Sequence, residues 1–458
     1  MSGERIFGTD GVRGRAGQGW LAPEAVSALG RAIGAVLCRR LTPAARAARP
    51  RALLGHDGRH SGPELEAALG RGLAAAGFDV LSAGLVPTPA LALLTRLQAF
   101  ELGAMLSASH NPAADNGIKV FSSLGEKLPD EVEAEIEAAV RADGRPVTAG
   151  GAPRVDPRLE RAYLEHLCAA AADLDLGGMR VAVDGANGAA SRVGPQLLER
   201  LGAEVVALFA EPDGVNINRG CGSTHPGALQ AEVRAHGADV GIALDGDADR
   251  CILVDERGGL VDGDPILMLL ARHAMRADPW PDPRIVATVM SNRGLHRALR
   301  EVGVGVVTVG VGDRRVVEAL KRDSLSLGGE QSGHIVFGAD NHYIGDGLYT
   351  ALRVLRTVRA SGASLSELAA PYRPFPQVLL NVPVALKPDL LAIPAVLEAV
   401  ARVEDELGED GRVLLRYSGT EPLARVMVEG PDADRIRAMA GEIANLIASE
   451  LGAAPRSG

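Results

Sequence analysis

The stretch MRVAVDGANGAASRVGPQLLERLGAEVVALF, residues 179–209, decides the fold class. It opens on an apolar, β-branched run, turns at Gly-Ala-Asn-Gly and continues with apolar spacing through Gln196–Leu201. Gly202 then leads into a second apolar run. This order predicts a strand, a tight turn, a helix, a glycine cap and another strand. The pattern occurs twice more. RALLGHDGR (51–59) is followed by Leu65, Leu69 and Leu73, then Gly77 and FDVLSAG; PRIVATVMSNRGL (283–295) leads through Leu295–Leu299 to Gly303 and VGVVTVG. Strand–helix–strand units with short turns predict parallel sheets covered by helices. Three of them predict three α/β domains of related, mixed architecture.

The remainder reads differently. Pro371, Pro374 and Pro376 mark a linker, after which VLLNVPVAL, RVLLRYS and ARVMVEG read as strands. Pro394–Glu406 and Asp432–Leu451 carry helical apolar spacing. This predicts a smaller α+β C-terminal domain. The expected domains are 1–153, 154–257, 258–372 and 373–458, in keeping with a prior of roughly 150 residues per domain.

Composition narrows the function. Of 458 residues, 47% are hydrophobic and 23% charged, with a formal charge of −10. Such a chain has no global cationic field for nucleic acid or an anionic membrane. Apolar runs stop well short of the ~18 residues a membrane span needs, and MSGERIFGTDGVRG lacks the apolar core of a signal peptide. Cys38, Cys168, Cys221 and Cys251 are widely spaced. Neither a disulfide framework nor a structural zinc site is expected, and a reducing cytoplasm fits. Lysine is rare, at positions 119, 127, 321 and 387 against 44 arginines (48 basic residues minus 4), so a lysine within a motif is informative.

Four segments carry chemistry. LSASHNPAADNGIKV (106–120) follows an apolar strand and holds Ser107, Ser109, His110, Asn116 and Lys119. Its small residues and Asn predict a tight exposed loop projecting a hydroxyl into a cleft. Lys119 would accept a sugar hydroxyl's proton if burial or cationic neighbours depressed its pKa. ADVGIALDGDADR (238–250) ends a strand on Asp245, Asp247 and Asp249. Alternation along an extended chain would point all three carboxylates one way. Three close anions require a cation, and hard oxygen ligands suit Mg²⁺ with a phosphate oxygen as a further ligand. LGGEQSGHIVFG (327–338) sets Glu330, Ser332 and His334 two apart among glycines, a set suited to sugar hydroxyls. LLRYSGTEPLARVMVEG (414–430) brings Arg416, Ser418, Gly419, Thr420 and Arg425 within ten residues, a nest for a non-reacting phosphate. Arg13 stands among glycines in FGTDGVRG (7–14). His56, Asp57 and Arg59 in GHDGRHSG read as structural or supporting residues, and the turn at 185–190 lacks the spacing of a dinucleotide loop.

SASHNP, DGDADR, GGEQSGH and RYSGTEP, in this order, resemble the four active-site loops of the α-D-phosphohexomutase superfamily. FGTDGVRG, CGSTHP (221–226), Val311–Arg314 and RVMVEG resemble its bacterial glucosamine-phosphate branch. The resemblance spans nearly the whole chain and implies four domains around a central cleft. It implies that Ser109 carries a phosphoryl group, with Ser107 as the neighbouring alternative. Asp245, Asp247 and Asp249 would hold one Mg²⁺ together with the Ser109 phosphate. Arg250 and Arg13 would face the reacting phosphoryl group, with His110 beside Ser109. Glu330 and Ser332 would grip sugar hydroxyls, and Arg416, Ser418, Gly419, Thr420 and Arg425 would bind the distal phosphate. Lys119 and His334 both stand as proton-transfer candidates.

The resemblance further implies interconversion of glucosamine 6-phosphate and glucosamine 1-phosphate through a hexosamine 1,6-bisphosphate, upstream of UDP-N-acetylglucosamine and cell-wall precursors. The alternative within the superfamily is a phosphoglucomutase/phosphomannomutase. A Gly-His pair is usual in mannose and glucose enzymes where Gly312 and Asp313 stand, and Ala248 replaces a common Gly. The expected partner is a small-molecule sugar phosphate; a homodimer is compatible with this reading, and nucleic acid and membrane are not expected.

Overall fold

The computed structural model describes residues 5–8, 10–418 and 422–452. The chain forms two compact units, the first comprising 1–289 with 307–369 and the second 290–306 with 370–458.

The first unit contains the three α/β regions. The opening sheet orders its strands as Val12–Arg15, Asp115–Ser122, Leu102–Leu106, Arg51–His56, Asp79–Leu85 and Arg154–Val155. Its centre is parallel, as the repeat predicts, but Asp115–Ser122 runs antiparallel to both its neighbours. Helices Pro23–Arg40 and Gly62–Ala75 cover one face with Leu29, Ile33, Leu65, Leu69 and Leu73, all buried. The second sheet runs Leu260–Val261, Cys251–Asp255, Val240–Leu244, Arg180–Asp184, Glu204–Leu208. Its parallel part sets Arg180–Asp184 between Val240–Leu244 and Glu204–Leu208, and Arg180–Asp184 and Glu204–Leu208 are the two strands of the 179–209 stretch. The third runs Gly305–Val309, Arg284–Thr288, Leu327–Gly329, Ile335–Phe337.

The second unit has an antiparallel sheet, Gln377–Pro383, Leu423–Glu429, Arg412–Tyr417, packed under helices Pro394–Leu407 and Ala433–Leu451. Asp432 caps the latter through the amides of Asp434 and Arg435. The third repeat's helix, Arg293–Arg300, belongs to this unit rather than to the first. Two bonds explain the departure: Asn292 Nδ2 donates to the Phe375 carbonyl at 3.1 Å, and Phe375 N donates back at 2.8 Å. The proline-marked segment is thereby pinned to the helix start.

One buried carboxyl sets a pH dependence. Glu66 accepts a hydrogen bond from Ser82 Oγ inside the first sheet's helix layer. Burial raises its pKa from 4.5 to about 7, with the Ser82 bond opposing. The native state therefore holds a proton that the unfolded chain has released. The associated stability is complete below about pH 4 and is lost as pH rises through about 7, roughly 3 kcal/mol in all. Glu66→Gln is expected to flatten urea-unfolding stability across that window and raise it near pH 8. A variant that keeps the parent's slope would contradict this assignment.

Candidate active site

Strand Leu102–Leu106 delivers the serine loop, and strand Asp115–Ser122 returns antiparallel with Lys119 opposite Met105. The loop is buried rather than exposed as the sequence predicted: Ser109 is 1% accessible and Ser107 fully covered. Its frame explains why. Asp57 accepts from Arg59 Nε at 2.8 Å and from Ser107 Oγ at 2.7 Å. Arg59, itself fully buried, donates onward to the carbonyls of Ser109 (2.8 Å), Asn111 (2.9 Å) and Asp115 (3.0 Å), and to that of Pro112. The expected supporting role of Asp57 and Arg59 thus has a definite form.

This frame separates the two serines. Ser107 Oγ gives its proton to Asp57 and accepts from Ser109 N at 2.8 Å. Ser109, held at φ +52°, points its Oγ to Asp245 Oδ2 at 2.6 Å, with His110 Nδ1 at 3.2 Å. The left-handed backbone turns the hydroxyl away from solvent and into the carboxylate cluster.

The carboxylates converge by a route the sequence did not show. The strand ends at Leu244, and Asp245, Asp247 and Asp249 lie on a turn closed by Ala248 N donating to the Asp245 carbonyl at 3.0 Å. A left-handed Ala248 (φ +58°) bends the chain, so the turn, not strand alternation, groups the carboxylates. It also accounts for the usual glycine there. A Cβ on Gly246 would lie 2.6 Å from the Ser109 carbonyl, so the loops touch through bare backbone. Asn218 Nδ2 bonds that same carbonyl at 2.9 Å. The 185–190 turn supports the aspartate loop, with Ala189 N donating to the Gly246 carbonyl at 2.8 Å.

One oxygen from each aspartate lies within 4.8 Å of the others. Asp247 Oδ1 and Asp249 Oδ1 are buried and accept no hydrogen bond among the described residues. Converging hard oxygens with unused acceptor capacity fit Mg²⁺. Burial, reinforced by Asp249 and Asp247, pushes Asp245 up to about 8. Burial works to raise Asp249 as well, but Lys119 and His334 hold it well below the carboxylate range.

Lys119 does not meet the condition set for a general base. Its Nζ donates to Asp247 Oδ2 at 2.8 Å and Asp249 Oδ2 at 3.0 Å, with Asp10 at 3.3 Å. Burial disfavours its charge, yet Asp10, Asp247 and Asp249 together raise its pKa well above normal. His334 lies 3.7 Å from Asp249; against burial, Asp249, Asp313 and Glu330 raise it to about 9. His110 is lowered by burial and by Arg250 and Arg13.

A cavity of about 550 Å³ opens on this cluster, lined by Arg13, His110, Asp249, Arg250, Glu330 and His334 among others. Arg13 donates to the Ala108 carbonyl at 3.0 Å. Glu330 is set by Gly312 N, which donates to its Oε1 at 3.0 Å, and Ser332 Oγ approaches its Oε2 at 3.5 Å. The glycine at 333 (φ +89°) packs on the Cys251 carbonyl, which ties this loop to the strand that follows Arg250. Lys119 faces a separate cavity of about 230 Å³ behind Asp249.

In the second unit Arg416 and Arg425 stand directly opposite each other across two strands. Like charges so paired repel, and an anion bound between them would relieve the repulsion. Lys387 Nζ bonds the Ser418 carbonyl at 2.7 Å, a cation the sequence reading passed over. Gly419 and Thr420 lie outside the described residues. Also unforeseen were Asp10 and Thr88, whose Oγ1 donates to Asp247 Oδ2 at 2.5 Å; nothing local distinguishes either in sequence.

Models of the phosphoglucomutase/phosphomannomutase domains match in order: α/β/α domain I over residues 4–146, II over 161–259, III over 262–375 and the C-terminal domain over 379–446. The chain belongs to the phosphoglucomutase/phosphomannomutase family. Its curated relatives place it on the phosphoglucosamine mutase branch. Phosphoglucosamine mutase of Symbiobacterium thermophilum is 50% identical over 452 residues, covering 98% of this chain and 99% of the relative. That of Saccharopolyspora erythraea is 50% identical over 447 residues, covering 97% and 99%. Among solved structures, a phosphoglucomutase/phosphomannomutase family protein from Burkholderia thailandensis superposes with a TM-score of 0.80 at 27% identity, covering 98% of each chain. N-acetylphosphoglucosamine mutase of Aspergillus fumigatus shares the fold at a TM-score of 0.63 and 19% identity, covering 96% of this chain and 95% of that one.

Proposed function

We propose that this enzyme interconverts glucosamine 6-phosphate and glucosamine 1-phosphate, with Ser109 as the phosphoryl carrier. The observation that carries this is Ser109 Oγ directed at Asp245 from 2.6 Å, within a three-aspartate cluster at the edge of an arginine-lined cavity. A phosphate on Ser109 brings about −1.5 to −2 charges and removes the proton that Asp245 accepts. Such an anion beside three carboxylates requires a cation, which supports Mg²⁺ on Asp245, Asp247 and Asp249. When bound, it would neutralise charge developing on the transferring oxygens.

The chain's own groups supply positioning and electrostatics. Arg250 and Arg13 attract the reacting phosphoryl group, and Glu330 and Ser332 orient the sugar. The phosphorus–Oγ bond of phosphoserine breaks as a sugar hydroxyl bonds to phosphorus, and the hydroxyl's proton ends on the departing Ser109 Oγ, which releases it again in the return step. The resulting 1,6-bisphosphate reorients, and its other phosphoryl group returns to Ser109. His334 lines the sugar cavity and carries a proton in the arrangement described, which favours it as the acid that returns a proton to the product hydroxyl. In the second unit, Arg416, Ser418, Gly419, Thr420 and Arg425 form the phosphate nest of this reading. The boundaries near 153, 257 and 372 complete it. Four unpaired cysteines support a reducing cytoplasmic setting, and among the described residues no helix is long and apolar enough to cross a membrane.

Turnover of glucosamine, glucose and mannose 6-phosphates by the phosphorylated protein tests the function. Glucosamine 6-phosphate is expected to be isomerised fastest. Equal or faster use of glucose or mannose phosphate would move the protein to the alternative, and free phosphate without isomer would make it a phosphatase. Metal has its own test: Mg²⁺ at about 100 times its Kd should stabilise the fold by roughly 2.7 kcal/mol, seen as a rise in Tm. Asp247→Asn should remove most of that rise; an equal rise in the variant would contradict the site.

A further inference from the structure

Asp10, just ahead of strand Val12–Arg15, meets three cations: Arg13, Lys119 and Lys127. Lys127 does more than neutralise it. Its Nζ also lies 2.6 Å from Asp313 Oδ2, at the start of helix Asp313–Asp323. Lys127 is largely buried, with 17% of its side chain accessible. The contact is part of a continuous seam. Arg314 donates to the Leu128 carbonyl at 2.9 Å and to Glu133 Oε1 at 3.0 Å, and Lys321 pairs with Glu126 at 2.6 Å. Residues 126–133 are therefore where the segment carrying Asp313 docks on the first sheet's region.

The two ends of the Lys127 bridge each lead to the active site. Asp10 holds Arg13, which lines the sugar cavity, and Lys119, which lies on Asp247 and Asp249. Next to Asp313, Gly312 N orients Glu330, and Asp313 itself lies 4.0 Å from His334 Nε2. Without the ammonium, Asp10 and Asp313 would be two carboxylates facing one another, and the attraction that joins the segments at this point of the seam would be lost.

We propose that Lys127 is a positioning residue for phosphoryl transfer: through Asp10 and Asp313 it fixes the distance between Arg13 and Lys119 on one side of the site and Glu330 and His334 on the other. The proposal rests on the mutase reading. Lys127 touches no reacting atom in this scheme. Its effect comes through alignment, where about 1 Å of misplacement costs on the order of a hundredfold in rate.

The test compares the full-length phosphorylated parent with Lys127→Met and Lys127→Arg. Lys127→Met should lower kcat by about ten- to a hundredfold, with KM for the sugar phosphate changed by less than about threefold. Lys127→Arg, which keeps a cation between the carboxylates, should recover most of the loss. Hydrogen exchange gives a readout independent of turnover: amides in 7–14 and 311–315 should exchange faster in Lys127→Met. A lowered Tm with kcat within about twofold of the parent would show a purely structural lysine and overturn the proposal. Unchanged exchange in both segments would do the same. Should Lys127→Met not fold, Lys127→Gln, uncharged but able to hydrogen-bond both carboxylates, takes its place with the same two criteria. A parent that isomerises no hexose phosphate counts against the mutase reading, and exchange in the variant still decides for Lys127.

Discussion

Ser109→Ala is expected to lower mutase kcat by on the order of 10⁴ or more while leaving the protein folded, with Tm within about 2 °C of the parent. The size of the loss follows from the carrier role. Neighbouring groups can strengthen or align a transfer, but without Oγ there is no atom on which to hold the phosphoryl group between half-reactions. Ser107 cannot substitute, because its hydroxyl is committed to Asp57 and to the Ser109 amide. The small effect on stability also has a physical basis. Ser109 Oγ makes one short bond, to an aspartate whose pKa is already raised to about 8. Alanine pays about the same backbone cost at φ +52° as serine does. Coupled assay of glucosamine 1-phosphate formation, with thermal unfolding alongside, checks both parts. Near-normal turnover would remove Ser109 from the mechanism.

The second large effect is structural. Arg59→Met should destabilise the fold by about 4 kcal/mol, because it leaves a fully buried Asp57 without its cation and removes one donor from each of four carbonyls. At about 2–4 °C per kcal/mol, Tm should fall by roughly 10 °C. Activity should fall too, since the same guanidinium holds the carbonyls of Ser109 and Asn111. A Tm within about 3 °C of the parent would show that the loop is framed by something else. Asp57→Asn, which keeps a hydrogen-bonding partner for Ser107 and Arg59, should be markedly milder.

What the sequence made legible was periodic or local. The strands and helices of the three repeats follow from apolar spacing and glycine punctuation. The helices at 394–407 and 433–451 lie within a residue or two of their expected ends because proline and Asp432 start them. The serine loop, the aspartate loop and the 327–338 loop were readable as candidate sites because each concentrates polar residues within a few positions. What escaped depends on contacts distant in sequence. Asp10 and Lys127 are 117 positions apart, and neither has a local pattern that announces the other. Thr88 reaches Asp247 across 159 positions.

Two expectations failed for reasons of geometry that local sequence does not show. Strand alternation does not group the aspartates, because the chain has already turned at Ala248. The serine loop is not exposed, because Arg59, a residue fifty positions earlier, draws its carbonyls inward. For Lys119 the sequence shows a lysine near a serine, but not the three carboxylates, Asp10, Asp247 and Asp249, that surround it and raise its pKa.

The central claim is that Ser109 carries the phosphoryl group that the substrate exchanges. Peptide mass spectrometry of the active enzyme before and after mixing with isotopically labelled glucosamine 1,6-bisphosphate tests it most directly. One phosphate on Ser109 is predicted, replaced by label on the timescale of turnover. An active enzyme whose Ser109 is unmodified throughout, or whose exchanging phosphate maps to Ser107, would contradict the account.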